Sequence, residues 1–178
     1  MTTETAVSDM SGDRVAIVEV SPRDGLQNEK TILPTPVKAQ LVRQLAHAGL
    51  RRIEVTSFVH PRLVPQLADA EQLARHLGHH EGVSFIGLVL NERGAHRALA
   101  TGEIDEINYV VPVTDAFGQA NQGVTTAGAL AAGTRIAELA RSGGRRFSVT
   151  LAVAFGCPYE GEVSEHQLAD VASRAARL

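Results

Sequence analysis

The chain has 178 residues, of which 44% are apolar and 21% are charged, and this balance is typical of a globular domain and excludes wholesale disorder. A net charge of −3 provides no broad basic surface and argues against nucleic acid as a partner. Cys157 is the single cysteine, which excludes an internal disulfide framework and a cysteine-rich zinc site.

The sequence shows no sign of a membrane or export segment. No apolar run approaches the roughly 20 residues that a membrane-spanning helix needs. The start of the chain is polar and carries three acids, Glu4, Asp9 and Asp13, unlike the basic and apolar regions of a signal peptide. We therefore expect residues 1–13 to be a disordered tail and residues 14–178 to form one domain of a cytoplasmic protein without a membrane partner.

From Val15 onward, short β-branched runs alternate with alanine- and leucine-rich stretches of helical spacing. The predicted strands cover residues 15–20, 51–56, 83–89, 106–111 and 147–153. The predicted helices run from the cap Thr35 to Gly49, over residues 66 to 77 or 79, 92–100 and 126–141, and from Ser164, paired with Gln167, to the terminus. Five consecutive βα units of this kind indicate a parallel sheet that is buried on both faces.

The segments that follow the predicted strands are longer and more polar than those that follow the helices. They cover residues 21–34, 57–65, 112–125 and 154–163. Both (β/α)₈ barrels and doubly wound open sheets bind their ligands on loops of this kind. The first loop has no G-x-G-x-x-G and no phosphate loop, so we favour a partial (β/α)₈ TIM barrel with about five βα units over a dinucleotide-binding fold.

The first of these loops carries the residues best suited to chemistry. Arg23 and Asp24 leave the end of the first predicted strand together, and Gly25 and Gln27 follow them. A guanidinium, a carboxylate and an amide around a permissive glycine suit a site for an oxygen-ligated metal and a carbonyl substrate. A plain salt bridge at a strand end is the structural alternative.

Glu54 lies inside the second predicted strand, with a parity opposite to that of its neighbours Ile53 and Val55. Its side chain would then face the interior of a closed barrel, where a carboxylate is costly unless it is paired. Arg23 is the candidate partner, and an exposed position on a sheet edge is the alternative. Cys157 has no evident base beside it in the sequence, so we do not predict a thiolate nucleophile there.

Four stretches carry a resemblance to a known family. In chain order they are residues 18–30 (VEVSPRDGLQNEK), 53–59 (IEVTSFV), 64–69 (VPQLAD) and 156–161 (GCPYEG). Together they resemble the hydroxymethylglutaryl-CoA lyase family over nearly the whole chain from Val15. The shorter motif Arg-Asp-Gly-x-Gln is shared with related Claisen-type synthases and aldolases, whereas the longer run and the other three stretches are more specific to the lyases.

The resemblance implies a (β/α)₈ barrel that cleaves 3-hydroxy-3-methylglutaryl-CoA to acetoacetate and acetyl-CoA with the aid of Mg²⁺ or Mn²⁺, a step of leucine degradation. It implies that Asp24 ligates the metal, that Arg23 and Glu54 are catalytic, and that Gln27 and Ser57 contact the acyl-CoA substrate. Arg23 would stabilise the enolate oxygen, whose charge needs a cation or dipoles fixed in advance. The metal preference and the oligomeric state, including a homo-oligomer, stay open.

Other family residues have no counterpart here. The H-x-H histidines, the ligating asparagine and the catalytic cysteine loop of the family lie beyond the matched stretches, and Cys157 belongs to an earlier turn. Ser148 and Thr150 stand where relatives often have arginine and tyrosine, which bears on the range of substrates. We therefore expect five of the eight barrel units, with open edges on the first and fifth strands, and weak metal binding by the chain alone.

Such a chain would be a fragment, a truncated gene product or one part of a barrel that a partner completes. Two other functions stay open. One is a lyase or aldolase of the same superfamily that acts on another 3-hydroxy-acyl-CoA or on a 2-oxo acid. The other is a non-catalytic interaction module.

Overall fold

The computed structural model describes residues 15–178, in which a parallel β-sheet is flanked by helices. The sheet strands are β1 (Arg52–Ser57), β2 (Ser84–Val89), β3 (Glu106–Pro112) and β4 (Arg146–Ala152). They lie side by side in chain order, and each pair of neighbours is parallel. The disordered tail predicted for residues 1–13 lies outside the described residues.

Helices connect the strands and confirm the predicted α/β class. They are α1 (Thr35–His47), α2 (Ala70–Leu77), α3 (Glu92–Leu99), α4 (Asp115–Gln122), α5 (Thr126–Ser142) and α6 (Glu165–Ala175). A short antiparallel pair, β5 (Gly156–Cys157) and β6 (Gly161–Glu162), precedes α6. None of the helices between Val15 and Leu178 is long and apolar enough to span a bilayer.

The strand predicted over residues 15–20 was wrong in extent. This segment makes one isolated parallel bridge, from Glu19 to Ile53, and the sheet has four strands where five were expected. Val15 and Ile17 are 87% and 68% exposed. Among the described residues the segment has a sheet neighbour on one side only, so its apolar side chains find little to pack against.

The core lies between the sheet and the helices. Ile53 and Val55 of β1 are fully buried on the same side of the strand, and Tyr109 of β3 is buried against α5. The Tyr109 hydroxyl donates to the Ala129 carbonyl at 2.9 Å. Gly133 permits this approach, because a Cβ there would lie 3.1 Å from the Tyr109 ring. These contacts fix α5 against β3 on one face of the sheet.

β4 is less buried than the other strands. Phe147, Val149 and Leu151 are only half-buried, whereas most residues of β1 and β2 are buried. Within residues 15–178, β4 pairs with β3 alone. This strand therefore has one open edge in the described part of the chain, as expected for the fifth predicted strand.

Several local predictions need correction. The helix expected from residue 66 begins at Ala70, after a 3₁₀ turn at Pro65–Leu67. The loop expected over residues 112–125 contains helix α4. Ser164 does cap α6 by accepting from the Gln167 amide at 3.2 Å, but the Gln167 side chain donates to the Val113 carbonyl, not back to the cap.

Candidate active site

The first loop begins with one turn of π-helix over Ser21–Gly25. The backbone amides of Arg23 and Asp24 both donate to the Val20 carbonyl, at 3.0 and 2.7 Å. The Glu19 carboxylate accepts from the Ser21 amide at 2.7 Å, and this hydrogen bond lowers the pKa of Glu19. Single π-turns are frequent at functional sites, and this one fixes Arg23 and Asp24 at the edge of the sheet.

Arg23 is held by two carboxylates. Its Nε donates to Glu54 Oε1 and its Nη1 donates to Asp24 Oδ1 at 2.7 Å. The side chain of Arg23 is 17% exposed and that of Glu54 only 2%. Nη2 makes no hydrogen bond to a described residue, so this nitrogen remains available to a ligand while the other two fix the plane of the guanidinium.

Glu54 is buried, as its sequence parity predicts for a residue facing the interior of a barrel. Its carboxylate pairs with Arg23. Burial raises the pKa of Glu54, although the charge and the hydrogen bond of Arg23 act in the opposite direction. The neighbouring buried carboxylate, Glu106, accepts from Arg52 at 2.7 and 2.9 Å and from the Ser148 hydroxyl at 2.7 Å. The charges inside the sheet are therefore compensated by hydrogen-bonded partners, as buried charges require.

Arg23, Asp24 and Gln27 line one open cavity of about 500 Å³. Much of its wall is apolar and comes from the loop after β1, from β2 to β4 and from α4. Examples are Val64, Leu88, Val110 and Phe117, with Asn121 and Thr150 as polar members. An apolar cavity of this size with a few convergent polar groups is typical of a small-molecule site.

Two of the sequence-predicted residues do not line this cavity. Glu54 touches it only through Arg23. Ser57 is 1% exposed, and its hydroxyl oxygen is buried without a hydrogen-bond partner in the described chain. Substrate contact by Ser57 therefore stays a prediction.

The segment after β3, which the sequence predicts as a polar loop, contributes to the cavity as helix α4. Phe117 and Asn121 reach the cavity from this helix. The Asp115 carboxylate accepts from the Thr126 amide at 2.7 Å, and Glu160 accepts from the Ala116 amide at 2.8 Å. Asp115, an acid in the first turn of α4, was the sequence signal for the start of this helix.

The residues that the structure describes do not by themselves make a divalent-metal centre. The Asp24 side chain is 55% exposed and offers one carboxylate to the cavity. Between Val15 and Leu178 no group of three histidine, cysteine, aspartate or glutamate side chains is placed to hold a metal ion. Mg²⁺ takes octahedral oxygen coordination, and Asp24 provides one such ligand.

Cys157 lies apart from the residues that line the cavity. Burial opposes ionisation of this thiol, but the Thr114 hydroxyl at 3.1 Å and the Tyr159 amide at 3.4 Å donate to the sulfur. These two hydrogen bonds, together with one from the Glu160 backbone, lower the pKa of Cys157. The interactions join the β5–β6 turn to the end of β3, which is a structural role.

Parallel strands joined by helices, with a cavity on the loops that follow the strands, are the arrangement that (β/α) barrels share with doubly wound sheets. A family model described as HMGL-like matches residues 14–178, and the chain belongs to this family. It is 39% identical over 176 residues to the (R)-citramalyl-CoA lyase of Chloroflexus aurantiacus, covering 93% of this chain and 55% of that protein.

Further relatives are lyases of the same family. The chain is 38% identical over 161 residues to the mitochondrial hydroxymethylglutaryl-CoA lyase of Rattus norvegicus, covering 90% of this chain and 49% of the relative. The HMG-CoA lyase structure from Bacillus subtilis superimposes with a TM-score of 0.88 at 34% identity, covering 92% of this chain and 55% of that one.

A second solved structure, an HMG-CoA lyase from Acinetobacter baumannii in complex with coenzyme A and 3-methylmalate, gives a TM-score of 0.86 at 37% identity, covering 91% of this chain and 52% of that one. The chain thus spans about half the length of the curated relatives it matches. The solved relatives are TIM barrels, so the predicted partial barrel is confirmed.

Proposed function

We propose that this chain carries the first part of the active site of a carbon–carbon lyase that cleaves 3-hydroxy-3-methylglutaryl-CoA to acetoacetate and acetyl-CoA. The observation that carries the proposal is the guanidinium of Arg23, which Glu54 and Asp24 fix in one orientation on a cavity that Gln27 shares. Membership of the HMGL-like family supports the reaction class.

The proposed reaction develops negative charge on an enolate oxygen, and Arg23 is the group proposed to stabilise it. Removal of the hydroxyl proton forms the new ketone, the carbon–carbon bond breaks, and its electron pair moves to the thioester oxygen as an enolate. A proton returned to the enolate carbon completes acetyl-CoA. A fixed guanidinium beside that oxygen stabilises the developing charge without reorganisation. The buried Glu54 carboxylate keeps the guanidinium in place by accepting from its Nε.

Mg²⁺ or Mn²⁺ is part of the proposal, with Asp24 as one ligand from this chain. Such a cation would supply charge at the substrate oxygens, and the other ligands would come from outside the described residues. The proposed substrate is an acyl-CoA, and the A. baumannii relative was solved with coenzyme A. A cytoplasmic location and a role in leucine degradation are also proposed, and the relatives include both mitochondrial and cytoplasmic lyases.

A second candidate substrate is (R)-citramalyl-CoA, which the C. aurantiacus relative is named for. The Thr150 hydroxyl on the cavity wall donates to Asn108 Oδ1 at 3.0 Å, so this wall offers small polar groups to the acyl part of a ligand. Both substrates undergo the same bond cleavage, and Arg23 would have the same role in each.

A chimeric enzyme tests the proposal. Residues 1–178 are joined to the C-terminal part of the rat lyase, and acetyl-CoA release is measured with both substrates and Mn²⁺. We expect turnover, and about a 10²- to 10³-fold loss in Arg23→Met, which removes a group that stabilises the oxyanion. Arg62→Met, at an exposed residue off the cavity, is the matched control.

A folded chimera that cleaves neither substrate would contradict the proposal, as would an Arg23→Met variant as active as the control. Turnover by the 178-residue chain alone would exclude the interaction-module alternative. Cleavage of a 2-oxo acid aldol with neither acyl-CoA ester cleaved would favour the other superfamily reaction.

A further inference from the structure

A buried lysine lies beneath the two loops that frame the cavity. Lys38 of α1 is 1% exposed. Its ammonium donates to Asp69 Oδ1 at 2.6 Å and to the Gln66 carbonyl at 2.5 Å. The second oxygen of Asp69 accepts from the Thr35 hydroxyl at 2.6 Å. Buried charges are retained in proteins only with such partners, so the backbone at Gln66 is fixed to the start of α1.

The side chain of Gln66 extends this connection to the catalytic loop. Its Nε2 donates to the Glu29 carbonyl at 2.9 Å. The Glu29 amide in turn donates to the Leu26 carbonyl at 3.2 Å. One residue earlier, the Asn28 side chain donates to the Asp24 carbonyl at 2.9 Å. These hydrogen bonds, together with the short chain segments between them, connect Lys38 with the backbone of Asp24.

The position of Gln66 explains why one residue can act on both loops. Val64, two residues before it, lines the cavity from the loop after β1, and Asp24 and Gln27 line it from the first loop. Asp24 is exposed, and Pro22 is the buried residue of the π-turn that carries it. The contact from Gln66 to the Glu29 carbonyl therefore adds to the Arg23–Glu54 pair in holding the first loop.

We propose that Lys38 and Gln66 form a latch that positions the Asp24–Gln27 loop against the loop after β1, with Gln66 as the positioning residue. The latch sets the distance between Asp24, Gln27 and the apolar wall at Val64. Its importance for catalysis rests on the proposed function, whereas the positioning itself does not depend on it. In the absence of the Gln66 side chain, the first loop keeps the Arg23–Glu54 pair and the bridge from Glu19 to Ile53 but loses its hydrogen bond to the loop after β1.

The test compares Gln66→Leu with Gln72→Leu, a matched change at an exposed glutamine of α2 that makes no side-chain hydrogen bond to a described residue. We measure amide hydrogen exchange at Asn28 and Glu29 and the NMR signal of Arg23 Nε–H in the 178-residue chain. In Gln66→Leu we expect exchange about five- to tenfold faster, the factor that one ordinary hydrogen bond supports, and a shifted Arg23 signal. Gln72→Leu should change neither, although both variants should unfold at similar temperatures.

Lys38→Met and Lys38→Arg add a second arm. Lys38→Met removes the charge beneath Gln66 and should reproduce the faster exchange, and Lys38→Arg should restore slow exchange in part. If Lys38→Met does not fold, the Gln66 pair decides alone. Unchanged exchange and an unchanged Arg23 signal in Gln66→Leu would overturn the latch. These readouts need no turnover. If the chimera fails the lyase assay while Gln66→Leu shifts the Arg23 signal, the proposed function is refuted and the latch is supported.

Discussion

Removal of Arg23 should lower the free energy of unfolding, because it leaves the buried Glu54 carboxylate unpaired. Arg23→Met leaves Glu54, 2% exposed, without the guanidinium on its Oε1. Loss of one partner from a buried pair costs about 3 to 5 kcal/mol, and we expect about 3 because Arg23 keeps 17% exposure and some solvent screening. With a urea m-value of about 2 kcal/mol per molar, the unfolding midpoint at pH 8 should fall by about 1.5 M.

The pH dependence of this loss has a definite sign. The pKa of Glu54 is raised in the folded chain by burial, against the effect of Arg23. A raised pKa contributes stability that is complete below the unfolded pKa and is lost as the pH rises through the folded pKa. Arg23→Met removes the group that lowers this pKa, so the pKa of Glu54 should rise further and the destabilisation should be smaller at pH 5 than at pH 8.

Urea unfolding at pH 5 and pH 8 of the wild type, Arg23→Met, Glu54→Gln and the double variant completes the cycle. In the double variant the carboxylate is absent, so the loss of Arg23 should cost much less than in the single variant. An Arg23→Met penalty that is equal at both pH values, or a coupling energy near zero, would refute the buried ion pair as described.

Three further predictions concern other parts of the chain. Thr114→Val removes a hydrogen bond to the sulfur of Cys157, so the pKa of the thiol should rise, and a thiolate absorbance titration showing no increase would contradict this. Gly118→Ala places a Cβ 2.4 Å from the Val124 carbonyl and should destabilise the chain by about 2 kcal/mol, measured by thermal unfolding. The control is Gly128→Ala, whose Cβ would meet two side-chain atoms, Thr125 Oγ1 at 3.3 Å and Val124 Cβ at 3.8 Å; an equal loss in both variants would contradict the prediction. Calorimetric titration of the 178-residue chain with Mn²⁺ should show weak binding, because one carboxylate is far from octahedral coordination, and tight one-to-one binding would contradict it.

The helices and inner strands could be predicted from the sequence because their patterns are local. α3, α5 and β3 lie within a residue of the expected bounds, since caps, glycines and β-branched runs act over a few residues. The strand at residues 15–20 failed because this segment pairs with β1 at a single bridge and leaves Val15 and Ile17 exposed, and the extent of pairing with a neighbour cannot be read from a β-branched run. Its β-branched run resembles an inner strand while its position leaves it on an edge.

The site was predictable in part for a similar reason. The pairing of Arg23 with Glu54 follows from strand parity and from the cost of an unpaired buried carboxylate. The latch at Lys38 was not foreseen, because a lysine in an amphipathic helix is usually a solvated residue. Its partners Gln66 and Asp69 lie about 30 residues away, and only the tertiary fold brings them to its ammonium.

Stabilisation of an enolate by Arg23 is tested most directly by proton exchange at acetyl-CoA. The chimera is incubated with acetyl-CoA in D₂O, and deuterium entry into the acetyl methyl group is followed by NMR. We expect exchange with Arg23 present and at least about a 10²-fold slower rate in Arg23→Met, with the affinity for coenzyme A unchanged. Exchange at the same rate in both proteins would contradict a role for Arg23 at the enolate oxygen.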